Sequence, residues 1–193
     1  MCIVAKHKRT VTAKIDDIQV ITHSIRGGNP IPMSLSDDIF YGIRTDPGAS
    51  SIICKCMGIV TVDDFNAFLN SPHKVFFFGL HRGSLMTIAW VDFIDGRNGR
   101  VHFVTFRHSY GGMNIISGLA TVRYIFNSDM FDSLIGYTPT DNPLALSFNK
   151  KLGFVEIGVA PLAHYDNVKG ISKDAMVTYC TRERISEVID GIK

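Results

Sequence analysis

The turn from Phe106 to Gly112 holds residue types that can bind phosphate. An apolar run ends at Phe106, Arg107-His108-Ser109-Tyr110-Gly111-Gly112 follows, and a helical pattern starts at Met113. A strand that passes through glycines into a helix presents free backbone N–H groups at the positive helix end, a geometry that binds phosphate. An ordinary strand-to-helix connection, in which the glycines only relieve strain, is the alternative.

Two titratable side chains on neighbouring predicted strands are candidates for a general base. His102 lies on the strand before the turn, and imidazole exchanges protons near neutral pH. Asp92, on the preceding strand, is the second candidate. A single His or Asp on a strand is more often a residue that faces solvent, so both interpretations stay open.

A third stretch, residues 142–154, predicts a short helix followed by a strand. Asp141 or Asn142 can cap this helix, and Pro143 suits its first turn. Gly153 suits the position just after the helix, where the backbone turns into the next strand. The apolar residues that recur at helical spacing are Leu144, Phe148 and Leu152.

The elements that must position these residues follow from the apolar periodicity along the chain. Three strands separated by turns predict an antiparallel meander over Val75–Leu80, Leu85–Ile94 and Val101–Phe106. The other predicted elements are helices at Lys14–Ile25, Ser34–Ile43, Thr61–Leu69, Met113–Phe126 and Arg182–Ile192, strands at Cys2–Ala5, Thr10–Ala13, Ser133–Tyr137, Phe154–Val159 and Ala175–Thr181, and a polar loop at Pro161–Lys173. This order predicts an α+β fold with a mixed sheet. Phe76-Phe77-Phe78 requires cover on both faces of that sheet, by helices or by a partner.

Length and composition favour one globular domain over residues 1–193. The net charge of +2 gives no argument for nucleic acid or a membrane surface as a partner. No apolar run reaches the roughly 20 residues of a membrane span, and the charged run Lys6–Arg9 follows a short apolar run, the reverse of a signal peptide. We therefore expect a cytoplasmic protein. Cys54 and Cys56 have no clustered ligands nearby, which favours buried free thiols over a metal site.

Asn142, Ala145 and Leu152-Gly153-Phe154 resemble the last conserved motif of the GNAT superfamily of acyltransferases. The predicted element order is similar to the GNAT fold over the whole length, with helices on both sheet faces. The match is specific at 75–181, the expected cofactor-binding core, and weak at 1–73. A looser resemblance is to GNAT-like phage proteins described as head-assembly proteins.

The family's phosphate turn reads Gln/Arg-x-x-Gly-x-Gly/Ala, and two registers fit it here. With Arg107 in the first position, Gly112 matches the second glycine and Tyr110 replaces the first. With Ser109 in the first position, Asn114 replaces the second glycine. The first register is preferred because it places Ile115 on the buried helix face.

The resemblance implies acetyl coenzyme A as the cofactor, with its pantetheine arm between two parting parallel strands. The implied contacts are the backbone of Val104, Thr105 and Phe106, the pyrophosphate turn Arg107, His108, Ser109, Tyr110, Gly111 and Gly112, and the helix residues Asn142, Ala145, Phe148 and Asn149. For Phe148, plain core packing is an equal alternative. Asn149 stands where many family members have a tyrosine that protonates the leaving thiolate, and an amide is not a useful acid.

The implied function is transfer of an acetyl group to a primary amine, with His102 as general base and Tyr137 as proton donor. Ser147 is a second substitute donor, and water could carry the proton instead. We expect the acceptor to be an amine of a small molecule or of a protein. Neither nucleic acid nor a membrane is expected as a partner, and both a monomer and a homodimer are compatible with the sequence. The alternative is a GNAT-like binding or assembly protein without catalysis. A nucleotide-binding α/β protein is disfavoured because the glycine turn follows a meander and no acidic ribose ligand follows.

Overall fold

The computed structural model describes residues 13–24 and 31–192, and its seven strands form one mixed sheet. The strands are β1 (Ile18–His23), β2 (Val75–His81), β3 (Ser84–Asp95), β4 (Asn98–Thr105), β5 (Ser133–Pro139), β6 (Val155–Asp166) and β7 (Ile171–Thr181). Their order in the sheet is β1-β2-β3-β4-β5-β7-β6. Every neighbouring pair of these strands is antiparallel except β4 and β5, which run parallel. The predicted meander is therefore confirmed as β2, β3 and β4.

Six α-helices accompany the sheet in the described part of the chain. They are α1 (Met33–Thr45), α2 (Pro47–Ser50), α3 (Val62–Leu69), α4 (Met113–Asn127), α5 (Pro143–Lys151) and α6 (Arg182–Asp190). A π-helical turn spans Ser51–Cys56, and short 3-10 turns span Ile15–Asp17 and Arg107–Ser109. Local chemistry explains the starts of two helices. Thr61 and Asp64 form a capping box before α3, and Asn142 caps α5 with Pro143 in its first turn.

Helices cover both faces of the sheet, as predicted, and each face has its own apolar core. Helices α1, α2 and α3 pack on one face against Phe76 and Phe78, together with Trp90 of β3. Helices α4 and α6 pack on the other face against Phe77, together with Leu152 at the end of α5. Alternation of side chains along β2 thus sends consecutive phenylalanines to opposite cores.

The predicted helix Lys14–Ile25 is wrong, because its described part, residues 14–24, forms the short 3-10 turn and then strand β1. The isoleucines recur at helical spacing, but Ile18-Gln19-Val20-Ile21-Thr22 is rich in β-branched residues, which favour strands. Antiparallel pairing of β1 with β2 satisfies the backbone groups along the edge of β2. Tertiary pairing here outweighs the periodicity.

The predicted loop Pro161–Lys173 is also wrong, because β6 continues to Asp166 and β7 begins at Ile171. The pairs His164–Lys173 and Asp166–Ile171 close a hairpin whose turn contains Gly170 at φ +66°. The predicted strands Cys2–Ala5 and Thr10–Ala13 lie outside the described residues, apart from Ala13. No helix in residues 13–24 and 31–192 is long and apolar enough to cross a membrane.

Candidate active site

The two parallel strands at the centre of the sheet pair over only three residues. Asn98–Arg100 of β4 pairs with Ser133–Ile135 of β5, and no further pairing between these strands occurs in the described chain. Beyond Arg100 and Ile135 the strands part and leave a gap through the sheet. Backbone groups of β4 and β5 that border this gap can accept an extended ligand by β-augmentation. The predicted separation of the strands at Val104–Phe106 is thus present.

The N-terminus of α4 carries backbone N–H groups that are available to a ligand. Gly111 and Gly112 have φ values of +94° and +122°, which favour glycine and aim the chain into the helix. Within the described residues, the N–H groups of 111–114 have no protein acceptor. Four free donors at a positive helix end form a site for phosphate oxygens.

Asp46 fixes the position of the turn before α4. Its Oδ2 accepts a hydrogen bond from the backbone N–H of Arg107 at 2.7 Å. Its Oδ1 accepts from the N–H groups of Gly48 and Ala49 at 2.9 Å and so caps α2. Neither the composition nor the spacing singled out this aspartate, because its partner lies 61 positions away in the chain.

The side chains of the predicted phosphate turn point in several directions. Ser109 is buried, and its Oγ donates to the carbonyl oxygen of Phe106 at 2.6 Å. Arg107 and His108 line a cavity of about 840 Å³ between α1 and the sheet. Tyr110 is exposed. The turn therefore offers a ligand mainly its backbone at Gly111 and Gly112.

Helix α5 lies beside the gap and packs closely on α4. Asn142 Oδ1 accepts from the N–H of Ala145 at 3.1 Å. The half-buried ring of Phe148 meets Phe103 edge-on at a centroid distance of 5.9 Å. A Cβ at Gly118 of α4 would lie 2.8 Å from a Leu152 methyl group, so only glycine allows this approach. Leu144, the first residue of the predicted apolar stripe, is exposed.

His102 and Asp92 form a hydrogen-bonded pair on the sheet face that α1, α2 and α3 share. The Nε2–H of His102 donates to Oδ1 of Asp92 at 3.1 Å, and the His102 ring stacks on Trp90 at 4.7 Å and 6°. Arg100 donates to both carboxylate oxygens of Asp92, and its guanidinium lies over the Phe93 ring. Burial opposes ionisation of Asp92, but the hydrogen bonds from His102 and Arg100 outweigh it and lower its pKa.

The sequence predicts His102 and Asp92 only as separate candidates, whereas the structure pairs them. The signal was the β3–β4 hairpin register, in which Trp90 lies opposite His102 and Asp92 opposite Arg100. Counting outward from the predicted turn 95–99 does not give these pairs, because a bulge between Asp92 and Asp95 shifts the register. Cross-strand neighbours lie within about 5.5 Å, close enough for such contacts.

Tyr137 faces the same side of the sheet as His102. The register of β4 with β5 places them at equivalent positions on the two parting strands. Tyr137 is 42% exposed, so its hydroxyl is accessible from this side. The structure thus brings the two predicted catalytic residues to one face. Asn149 lies towards the other face, where its Nδ2 donates to Oγ1 of Thr138 at 2.8 Å.

The β6–β7 hairpin borders the same open side as Tyr137. Lys173 Nζ bridges Asp141 at 2.7 Å and Asp166 at 3.0 Å, and the hydrogen bond to Asp141 is the largest cause of its raised pKa. Asn167 at the hairpin turn donates to the carbonyl oxygen of Cys56 at 2.5 Å. Burial lowers the pKa of the His164 imidazole. The hairpin therefore connects the π-helical turn with the loop before α5.

Comparisons with known proteins identify the fold. No protein-family model matches the sequence, and no curated protein is significantly similar to it. Among solved structures, it is similar to a chimera of the spermidine N-acetyltransferase SpeG from Vibrio cholerae and hSSAT, with a TM-score of 0.65, 14% identity, and coverage of 88% of this chain and 99% of that chain.

Two ligand-bound structures are similar as well. RimJ from Mycobacterium smegmatis in complex with CoA-disulfide has a TM-score of 0.68 at 11% identity, covering 91% of this chain and 88% of that chain. The microcin C7 self immunity acetyltransferase MccE in complex with acetyl-CoA and AMP has a TM-score of 0.63 at 14% identity, covering 78% and 88%. The chain therefore has the GNAT acetyltransferase fold, and the predicted resemblance is confirmed at the level of fold. The resemblance to phage proteins stays a prediction.

Proposed function

We propose that this protein is an N-acyltransferase that moves an acetyl group from acetyl coenzyme A to a primary amine. One observation carries the proposal. The gap between β4 and β5 connects free N–H groups at the start of α4 with the His102–Asp92 pair on the opposite sheet face. A cofactor bound on one face could thus present its acyl group to an amine on the other.

The residues of this chain fit the cofactor by its chemistry. The free N–H groups of 111–114 would hold the pyrophosphate, and the backbone of β4 at Val104 and Thr105 would pair with the amides of the pantetheine arm. Phe106 is not available for this pairing, because its N–H donates to the carbonyl oxygen of Met86 at 3.1 Å and its own carbonyl accepts from Ser109. Ala145 and Phe148 of α5 would flank that arm. When bound, the cofactor supplies an acetyl group activated as a thioester.

His102 would take the proton that the amine must lose. Asp92 accepts the hydrogen from Nε2, which leaves Nδ1 with the free electron pair of a base. Stacking on Trp90 restricts rotation of the imidazole ring. Tyr137, exposed on the same face, would serve as the proton donor for the leaving group.

The acceptor would enter from the side bordered by the β6–β7 hairpin and the π-helical turn. Among residues 13–24 and 31–192, the core under α1, α2 and α3 includes residues of β1, β2, β3 and β4 but none of β5, β6 or β7, so the acceptor would find this side of those three strands uncovered by the described helices. A small amine and a protein amine both remain candidates, as does a homodimer. We also propose that the domain spans residues 1–193, with the cofactor core at 75–181.

Asn149 favours the second candidate function, a GNAT-like binding or assembly protein without catalysis. Its amide is held by Thr138 and cannot donate a proton as a tyrosine would. Such a protein would bind the cofactor or a partner but would not release thiol in the presence of amines.

Thermal unfolding with and without acetyl coenzyme A tests the proposal. A ligand at 100 times its dissociation constant adds about 2.7 kcal/mol of stability, which raises the melting temperature measurably. A panel of amines followed by detection of released thiol then separates enzyme from binding protein. No melting shift at millimolar cofactor would refute both the cofactor site and the acyltransferase. A shift without thiol release would favour the binding protein.

A further inference from the structure

Phe93, near the end of β3, has a backbone conformation that a bulky residue rarely adopts. Its φ is +46°, in the left-handed region that favours glycine, and the residue is 73% exposed. Residues held in such conformations concentrate at active sites and ligand-binding sites. Phe93 is therefore a candidate for contact with a ligand.

A β-bulge determines where the Phe93 ring lies. Trp90 packs in the core under α1, α2 and α3, and Val91 packs in the core under α4 and α6. Regular alternation would therefore send the ring of Phe93 to the α4 face. The register of β3 with β4 shifts after Asp92, however, and bulges of this kind redirect side chains. The ring lies instead against Arg100, with 4.0 Å between the guanidinium carbon and the ring centroid.

The ring belongs to the same group of contacts as the candidate base. The guanidinium of Arg100 donates hydrogen bonds to both carboxylate oxygens of Asp92. Oδ1 of Asp92 in turn accepts from Nε2 of His102 at 3.1 Å. The side chains of Arg100 and His102 are 33% and 32% exposed, so a ligand on this side can reach both. They are two residues apart on β4, which is about 7 Å along the strand.

We propose that Phe93 binds the apolar part of the acceptor amine and thereby determines which amines react. This inference rests on the proposed function. The acceptor is an arylalkyl amine with its ring about five bonds from the nitrogen, because that length matches the roughly 7 Å between His102 and Arg100. Its nitrogen lies at Nδ1 of His102, and its ring packs edge-on or offset on Phe93. Such ring pairs contribute more than the apolar area that they bury.

The test compares two amines that differ only in the ring. 4-Phenylbutylamine carries the ring at the end of its chain, and butylamine has the same chain without it. For the wild type, kcat/KM should be about tenfold higher for 4-phenylbutylamine. Phe93→Gly should abolish this preference, and Phe93→Tyr, which retains a ring, should keep it. The ratio isolates the ring contact, because an effect transmitted through Arg100 to His102 would alter both amines equally.

The stability of Phe93→Gly separates a functional ring from a structural one. Glycine adopts a φ of +46° without strain, so this variant should melt at or above the wild-type temperature. The matched control is Arg82→Gly. Arg82 is also an exposed residue at positive φ, +51°, but it lies in the β2–β3 turn. Its replacement should melt likewise and retain the wild-type ratio. A lower melting temperature of Phe93→Gly with an unchanged ratio would assign the ring to the fold and refute the inference.

Trp90 gives a second readout that needs no turnover. It is the single tryptophan of the chain and stacks on the His102 ring at a centroid distance of 4.7 Å. Its fluorescence should therefore respond when an amine reaches His102. In equilibrium titrations, 4-phenylbutylamine should bind the wild type about tenfold more tightly than butylamine. Phe93→Gly should bind the two amines equally.

The outcomes separate this inference from the proposed function. If both amines release thiol and Phe93→Gly leaves their ratio unchanged, the ring contact is refuted and the acyltransferase stands. If neither releases thiol but the Trp90 titration shows a ring preference that Phe93→Gly removes, the ring contact stands and the acyltransferase falls. If no amine releases thiol or changes the fluorescence, both proposals fall. Should Phe93→Gly fail to fold, Phe93→Asn replaces it, because asparagine also tolerates positive φ.

Discussion

Replacing Asp92 with asparagine tests whether the His102–Asp92 pair is the base of the reaction. Asparagine has nearly the same shape and can still accept a hydrogen bond through Oδ1, so the change removes the charge and little else. The Asp92 side chain is 11% exposed, and its carboxylate accepts a hydrogen bond from Nε2–H of His102 at 3.1 Å and two from Arg100. Little water is therefore available to replace it.

The size of the effect follows from the bond that is weakened. A hydrogen bond to a charged group contributes about 1.5–3 kcal/mol, and a neutral one about half of that. Losing roughly 1–2 kcal/mol of support for the protonated imidazole corresponds to a decrease in kcat of about 5- to 30-fold. KM should change little, because Asp92 contacts Nε2 of His102 and the amine would contact Nδ1 on the other side of the ring.

Asp132→Asn is the matched control for this variant. Asp132 also pairs with an arginine, Arg97 at 2.7 Å, but its side chain is 61% exposed and lies near the β3–β4 turn. Exposed pairs contribute about 0–1 kcal/mol, so kcat should stay within about twofold. The assay is thiol release with the best amine of the panel. Wild-type kcat in Asp92→Asn, or an equal loss in both variants, would refute the assignment of the base.

Acid unfolding of the same variant gives an independent check. The pKa of Asp92 in the fold lies below its unfolded value of about 3.9. Its contribution to stability is therefore present above about pH 4 and is lost as the pH falls through the folded value. Between about pH 5 and 3, the unfolding free energy of the wild type should fall more steeply than that of Asp92→Asn. Parallel slopes would contradict the carboxylate's role in the fold.

Three further predictions use other parts of the structure. Gly112→Val should abolish the melting shift with coenzyme A, because φ of +122° positions the donors, whereas Gly83→Val, strained similarly at φ +77° in the β2–β3 turn, should lower stability but retain the shift. Gly118→Ala should cost about 1–3 kcal/mol in denaturant unfolding, since its methyl group would clash with α5; an unchanged midpoint would contradict the close packing. Burial raises the pKa of Cys180 to about 12, so mass spectrometry at pH 8 should find it unalkylated while the partly exposed Cys54 reacts; labelling of Cys180 in folded protein would show otherwise.

Local chemistry made the region from β2 to α5 predictable from sequence. Asn142 and Pro143 define the start of α5, and Gly153 defines its end at φ +87°. Turns at 82–83 and 96–97 separate the strands of the meander, so their order and direction follow without tertiary information. These signals are all contained within a few residues of the element they delimit.

Elements whose form depends on distant partners were predicted less well. Strand β1 exists because β2 offers an unpaired edge more than 50 positions away, and no local pattern carries that information. The end of β6 pairs with β7 despite bulges between Ala160 and His164, which disturb the alternation that identifies a strand. Polar residues there indicated a loop, whereas long-range pairing makes a hairpin.

The candidate site was likewise predictable only where its signals are local. This matters for Asn149, the position at which the chain differs from the GNAT motif. Sequence alone located His102 and Asp92 but could not join them, because joining them requires the register of the β3–β4 hairpin. It identified Asn149 as a departure from a proton donor but could not find Thr178, because the pairing of β5 with β7 brings it to Gly136. Asn149 and Thr178 are separated by 29 positions in sequence, yet Nδ2 of Asn149 and Oγ1 of Thr178 both lie within 4 Å of the position that a Cβ of Gly136 would occupy. A change of one residue in the motif therefore has to be interpreted together with the groups that the sheet places around it.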